Sequence, residues 1–150
     1  MKARSSSKGS AKLTGTNVTL IFDKTSKLKA EGSSKLNLTA PTSGSMAGML
    51  LIAPQDNAKT FALESAAVDR LEGVIYMPGA ELVVQGGRIN EASKWTISIT
   101  KSLTVKLGAE LVIASDYAGS TIPVPASVKS SNDAVRLVSG EAPTAPAQPL

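Results

Sequence analysis

The feature that most constrains this chain is a series of short apolar runs, each alternating with polar residues and each closed by a turn cluster within four to six residues. Asn17–Phe22 (NVTLIF) places Val18, Leu20 and Phe22 on one side by a period of two. Leu28/Ala30 and Leu36/Leu38 repeat the pattern, followed by the turn cluster APTSG at 40–44. Gly48–Ala53 (GMLLIA), Thr60–Glu64 (TFALE), Gly73–Met77 (GVIYM) and Glu81–Gln85 (ELVVQ) come next. Trp95–Thr100 (WTISIT), Ser102–Lys106 (SLTVK) and Glu110–Ala114 (ELVIA) complete the series. Pro78-Gly79 and Gly86-Gly87 read as turns between them. No segment has a clean helical stripe. The nearest, Glu64–Glu72 (ESAAVDRLE), is short and ends at Gly73, so it reads as a turn with a small strand.

Spacing turns a list of strands into an architecture. Leu28/Leu36 and Leu103/Leu111 sit eight residues apart across small polar turns, and longer strands recur near residues 49, 74 and 97. A coarse period of about 25, made of several short strands, is the mark of a solenoid whose coils stack on one another. A β-sandwich also has strands every 8–12 residues and stays open as the alternative. Composition agrees with stacking: aromatics are 3% of the chain although apolar residues are 42%. Val, Leu, Ile and Ala can form ladders in which like sits on like without aromatic anchors. The expected fold is all-β, a single-stranded right-handed parallel β-helix of about three to four coils. Leu38, Leu51, Val74, Leu82, Val105 and Leu111 are its expected inward residues, and Ser, Thr, Lys and Asn its outward ones, as in KLNLT and TISIT.

The domain plan follows. Residues 1–13 form a basic N-terminal arm without fixed structure, 14–138 the solenoid, and 139–150 (SGEAPTAPAQPL) a flexible Pro/Ala-rich tail. Residues 115–138 lose the alternation and should lie across the body or leave it, with Ala134–Val138 (AVRLV) as a last edge strand.

Whole classes of chemistry are excluded by what the chain lacks. There is no Cys and no His, so thiolate and imidazole catalysis and the usual zinc ligand sets are absent. The carboxylates Asp23, Asp56, Asp69, Glu72, Glu81 and Glu110 are scattered. Asp69 and Glu72 are the nearest pair, and beside Arg70 they read as turn residues rather than as an acid and base. Asp56-Asn57 reads as an Asx-turn rather than a calcium loop. Gly86-Gly87 lacks the following Lys-Ser/Thr of a phosphate loop. Asn17 and Asn37 match the glycosylation sequon, which is common by chance. Tyr76, in phase with Val74, reads as core; Trp95 reads as the cap of a coil edge. With Tyr117 they are the rings that could stack on sugars. No catalytic, cofactor-binding or metal-binding residue is expected, and no cofactor.

The net charge is +4, concentrated in residues 1–36, where Lys2, Arg4, Lys8, Lys12, Lys24, Lys27, Lys29 and Lys35 face only Asp23 and Glu31. No aromatic interleaves with them, so nucleic acid is not an expected partner; lysines at strand edges discourage unwanted pairing. The start of the chain has no apolar run like that of a secretory signal, and no stretch approaches the roughly 20 apolar residues of a membrane helix, so direct membrane insertion is not expected. With a lysine-rich arm before the first strand and prolines after the last, the chain is expected to be a monomer or weak oligomer.

One resemblance sharpens the functional reading. The runs LNLTAPTSGSMAGMLLI at 36–52 and LEGVIYMPGAELVVQGG at 71–87 resemble the C-terminal region of the TadG-like Flp (Tad) pilus-assembly proteins of bacteria. Ala40–Gly44, Ala47–Gly48, Leu71–Pro78 and Val135–Val138 occur in that family's order, over roughly residues 14–138. Met46 stands where an aromatic is frequent, and Ser139 where an acidic residue closes the motif. Family members carry an N-terminal membrane helix and a longer extracytoplasmic region, so the chain is expected to correspond to a detached or truncated terminal domain. The resemblance implies a non-enzymatic structural or interaction domain of the cell envelope, docking other pilus-assembly or envelope proteins. The alternatives are a carbohydrate-binding or carbohydrate-modifying β-helix and a cytoplasmic bactofilin-like scaffold that polymerises end to end.

Overall fold

A computed structural model describes residues 11–64, 68–126 and 128. Residues 1–10 of the arm expected at 1–13, the strand expected at Ala134–Val138 and the tail at 139–150 lie outside the described residues. Ten strands and no helix make up the described chain. They are β1 (Lys12–Gly15), β2 (Leu20–Ile21), β3 (Lys29–Glu31), β4 (Lys35–Thr39), β5 (Met49–Ile52), β6 (Thr60–Glu64), β7 (Val68–Val84), β8 (Arg88–Ile89), β9 (Thr96–Val105) and β10 (Glu110–Leu111). β1 begins at Lys12, slightly earlier than the boundary expected at residue 14.

Every pairing between these strands is parallel. Successive strands do not pair with each other. β1 lies on β4, β2 on β5 and β3 on β6, so three short strands make one coil and each is covered by its counterpart in the next. β7 is the whole third coil in one strand: its first part pairs with β4, its middle with β5 and its last part with β6. β9 then runs along β7 from Gly73↔Thr96 to Val84↔Val105, and β10 lies on β8. The molecule is a parallel β-solenoid of about four coils, and the sandwich is ruled out. The eight-residue spacings are corners within a coil, not hairpins.

The runs around Pro78-Gly79 are one strand rather than two. The register shifts between Met77 and Glu81, which turns the chain without ending it. Gly79 sits at this corner because a Cβ there would lie 1.9 Å from Gln55 O. The second coil is longer than the others. From Leu36 to its partner Val68 the chain travels 32 residues, but from Leu82 to Leu103 only 21. The extra length is the APTSG corner and the loop after Ala53. An extra residue, Leu50, bulges between the pairs Met49↔Val74 and Leu51↔Ile75. Both Leu50 and Leu51 are buried in consequence.

The core is a set of ladders. Ala30, Leu63, Val84 and Val105 stack in register, as do Phe61, Leu82 and Leu103. Leu13, Leu36 and Val68 form a third. Of the six expected inward residues, Leu38, Leu51 and Leu82 are buried on the inward side and Leu111 is half-buried against the core; Val74 is buried too, but on the side of β7 opposite the inward Ile75. Val105 is not buried: it keeps the inward ladder position of Val84 but is 47% exposed, because β9 is the last strand on that face among the described residues.

After β10 the chain turns back. Ser115 makes an antiparallel bridge with Trp95, and residues 116–126 cross the outside of the stack as a strap. Trp95 Nε1 donates to Ile122 O at 3.1 Å, and Ser120 Oγ donates to Glu72 Oε1 at 2.5 Å. Pro123 and Pro125 press on Gly48, whose φ of +79° and lack of a Cβ permit the contact. Residues 115–126 thus lie across the body, as their loss of alternation implies.

Candidate functional site

The polar side chains that could carry chemistry are engaged in holding the coils. Asn90, buried with φ +71°, is the most connected. Its Oδ1 accepts from Leu71 N (2.6 Å) and from Ser93 Oγ, and its Nδ2 donates to Thr96 Oγ1 (2.9 Å) and Val112 O (3.0 Å). Thr96 Oγ1 donates in turn to Leu71 O at 2.8 Å. This one side chain ties the third coil to the fourth and to the segment after β10. It satisfies backbone groups that the corner would otherwise bury unpaired.

The acidic pair noted from the sequence, Asp69 and Glu72, lies in β7 rather than in a turn. Glu72 is buried, accepts from Ser120 and has Arg70 Nε 3.7 Å away; Arg70 Nε also donates to Ala92 O. Asp69 is exposed. The two carboxylates differ in environment and share no ligand. Glu81 accepts from Thr60 Oγ1 and Thr104 Oγ1 as an outward ladder across three coils, and Glu110 pairs with Arg88 at 3.4 Å. Among the described residues no three Asp or Glu side chains converge in a metal-holding group.

Asp56-Asn57 is a structural turn. Asn57 Oδ1 accepts from Lys59 N, the Asx geometry, while its Nδ2 reaches the preceding coil at Asp23 O (2.7 Å) and Ser26 O (2.9 Å). Asp23 closes its own turn by accepting from the Thr25 hydroxyl and Thr25 N. The Thr25 side-chain bond is the main reason its carboxyl is held well below the ordinary range, at about 2.

No family model, curated protein or solved structure matches this chain. The functional reading therefore rests on its own surfaces.

The aromatic rings fall differently from expectation. Trp95 is fully buried, stacked at a tilt on Tyr117 with ring centroids 5.7 Å apart, and is not a rim residue. Tyr76 shares the side of Val74 but is 39% exposed, so it is not core. Val74 donates its N–H to Gly48 O, beside the strap crossing, whereas Tyr76 lies beyond it. Tyr76 belongs to an outward apolar ladder, Ile21, Ile52, Tyr76 and Ile99, in register through four coils. This overturns the expected orientation of TISIT: Ser98 aligns with the buried Ile75, and Ile97 and Ile99 lie on the outward side with Val74 and Tyr76. Ser98 Oγ is correspondingly buried without a hydrogen-bond partner.

The two ends of the stack are the remaining surfaces. The last coil exposes Leu103, Val105, Leu107 and Ile113. The first coil opens into a cavity of about 470 Å³ with an apolar floor and a lysine rim. The sequence reading treated the ends of the stack as edges guarded by charge and proline but named no side chains exposed there, because alternation identifies which side a residue takes but not whether another coil follows. The signal was present in the position of SLTVK at the end of the strand series.

Proposed function

We propose that this chain is a non-enzymatic docking domain of the bacterial cell envelope, acting as the terminal part of TadG-like Flp pilus-assembly proteins is expected to act. The observation that carries the reading is the open last coil, where Leu103 and Val105 continue two core ladders in register and stay about half exposed. A partner that lays apolar groups on this end completes a core already started, at roughly 25 cal/mol per Å² of apolar surface covered. The polar clusters are engaged within the scaffold, which favours a binding role over a catalytic one.

The test replaces Leu103 and Val105 together with Glu. The variant should fold, because both positions are exposed, and should lose its cross-links to pilus-assembly and envelope proteins in whole cells. A folded variant that cross-links and supports piliation like the parent sinks the reading.

End-to-end polymerisation is the second reading, since both ends leave ladders open. The lysine-rich first coil and the prolines after the last strand weigh against it. A monomer or weak oligomer is the expected state, and long filaments in light scattering at moderate salt would favour the scaffold instead.

A further inference from the structure

The first coil differs from the last in having a shaped cavity and a free strand edge side by side. The cavity floor is Leu20, Phe22, Leu28 and Leu36, and its rim carries Lys12, Lys27 and Lys35. None of these three lysines has an ion-pair partner among the described residues. Lys29 does, with Glu31 and Glu64, and the hydrogen bond it donates to Glu31 is the chief reason its ammonium is held above its ordinary range. Beside the cavity, β1 pairs with β4 on one side only. Ala11 O accepts from Lys35 N, so Ala11 and Leu13 turn their backbone groups toward β4. By alternation Lys12 and Thr14 turn theirs outward, where no strand meets them among the described residues. Side chains alternate across the same edge: Leu13, 41% exposed, sits on the inward ladder of Leu36 and Val68, and Lys12 on the outward side beside Lys35.

From these juxtapositions we infer that the first coil is a docking site for an extended acidic segment of a partner protein, which adds to β1 as a strand. The inference rests on the docking function above and names the partner chemistry at the other end of the stack. Backbone groups of the segment take the free N–H and C=O of Lys12 and Thr14. Its apolar residues continue the Leu13 ladder into the cavity, and its carboxylates, on the alternate side, meet Lys12, Lys27 and Lys35. The same lysines repel a basic segment, so the charge of this rim selects an acidic partner.

The experiment uses the full chain and two synthetic peptides, one alternating Glu with Val and one alternating Lys with Val, followed by amide chemical shifts. The Glu peptide should shift residues of 11–36 and slow hydrogen exchange at Lys12 and Thr14. Charge reversal of Lys12, Lys27 and Lys35 to Glu should weaken it about tenfold, the sum expected of three exposed ion pairs. Thr14→Pro removes one outward N–H without a ladder bond to β4 and should also weaken it. The Leu103/Val105 double-Glu variant should bind the peptide as the parent does, which separates failure here from failure of the docking reading. Equal binding of both peptides, shifts mapped elsewhere, occupation of the cavity by oleate with no peptide bound, or a dimer formed through these residues would each overturn the inference.

Discussion

Val84 and Val105 occupy the same ladder, one coil apart, yet Val84 is completely buried and Val105 is 47% exposed. Leu82 and Leu103 repeat the contrast at 2% and 44%. The residue types are the same and so is their alternation. Among the described residues, only the presence of a further coil differs. Burial in a stack is a property of the neighbour above rather than of the residue's own strand, so each coil is stabilised by the next and the terminal ones remain incomplete.

Mutations can break or sharpen this contrast. Leu82→Ala in the third coil should cost about 2–5 kcal/mol in urea unfolding, against less than about 1 kcal/mol for Leu103→Ala. Equal losses would mean that the last coil is covered in solution. Asn90→Ala should cost about 1–3 kcal/mol, because Leu71 N–H is left buried without its acceptors at full strength. Thermal unfolding of that variant reads the corner between coils rather than a face. Ser120→Ala should cost about 0.5–1.5 kcal/mol and accelerate hydrogen exchange in 116–126, since it loosens the strap without touching a ladder. The smallest effect is at the first coil. Asp23 titrates at about 2, so its contribution is present above the ordinary carboxylate range and is lost as pH falls through about 2. Thr25→Val should raise that carboxyl toward the ordinary range in an NMR titration.

The strand series was legible because period-two alternation needs only local residues. NVTLIF, KLNLT and TFALE each place the expected side chains against the core. The solenoid was legible because ladders of Leu, Val and Ile require no aromatic keystone. Three things were hidden, each for a physical reason. The TISIT register was hidden because its Ile residues are the outward continuation of Tyr76, while a serine takes the core position; strand-local hydrophobicity points the other way. The single long β7 was hidden because Pro78-Gly79 looks like a terminus, whereas its neighbour Gln55 demands a glycine at a corner. Which side chains each end exposes was hidden, because burial there depends on whether a further coil follows. The carboxylate pair was read from the sequence as turn residues, whereas both lie in β7 and Glu72 is a buried anchor for Ser120.

The strap has a consequence for the order in which the chain can be completed. Each coil meets its neighbour within a few tens of residues, so coils can be laid down one after another as the chain emerges from the ribosome. Ser120 and Glu72, by contrast, are 48 residues apart, and Pro123 closes on Gly48 from still farther along. A nascent chain halted before Ile122 would hold a nearly finished stack whose Trp95 lacks its acceptor and whose Gly48 flank is bare. The final event of folding is then a latch thrown across coils already in place, and the interval before it closes is when the outer flank is accessible to chaperones or to misassembly.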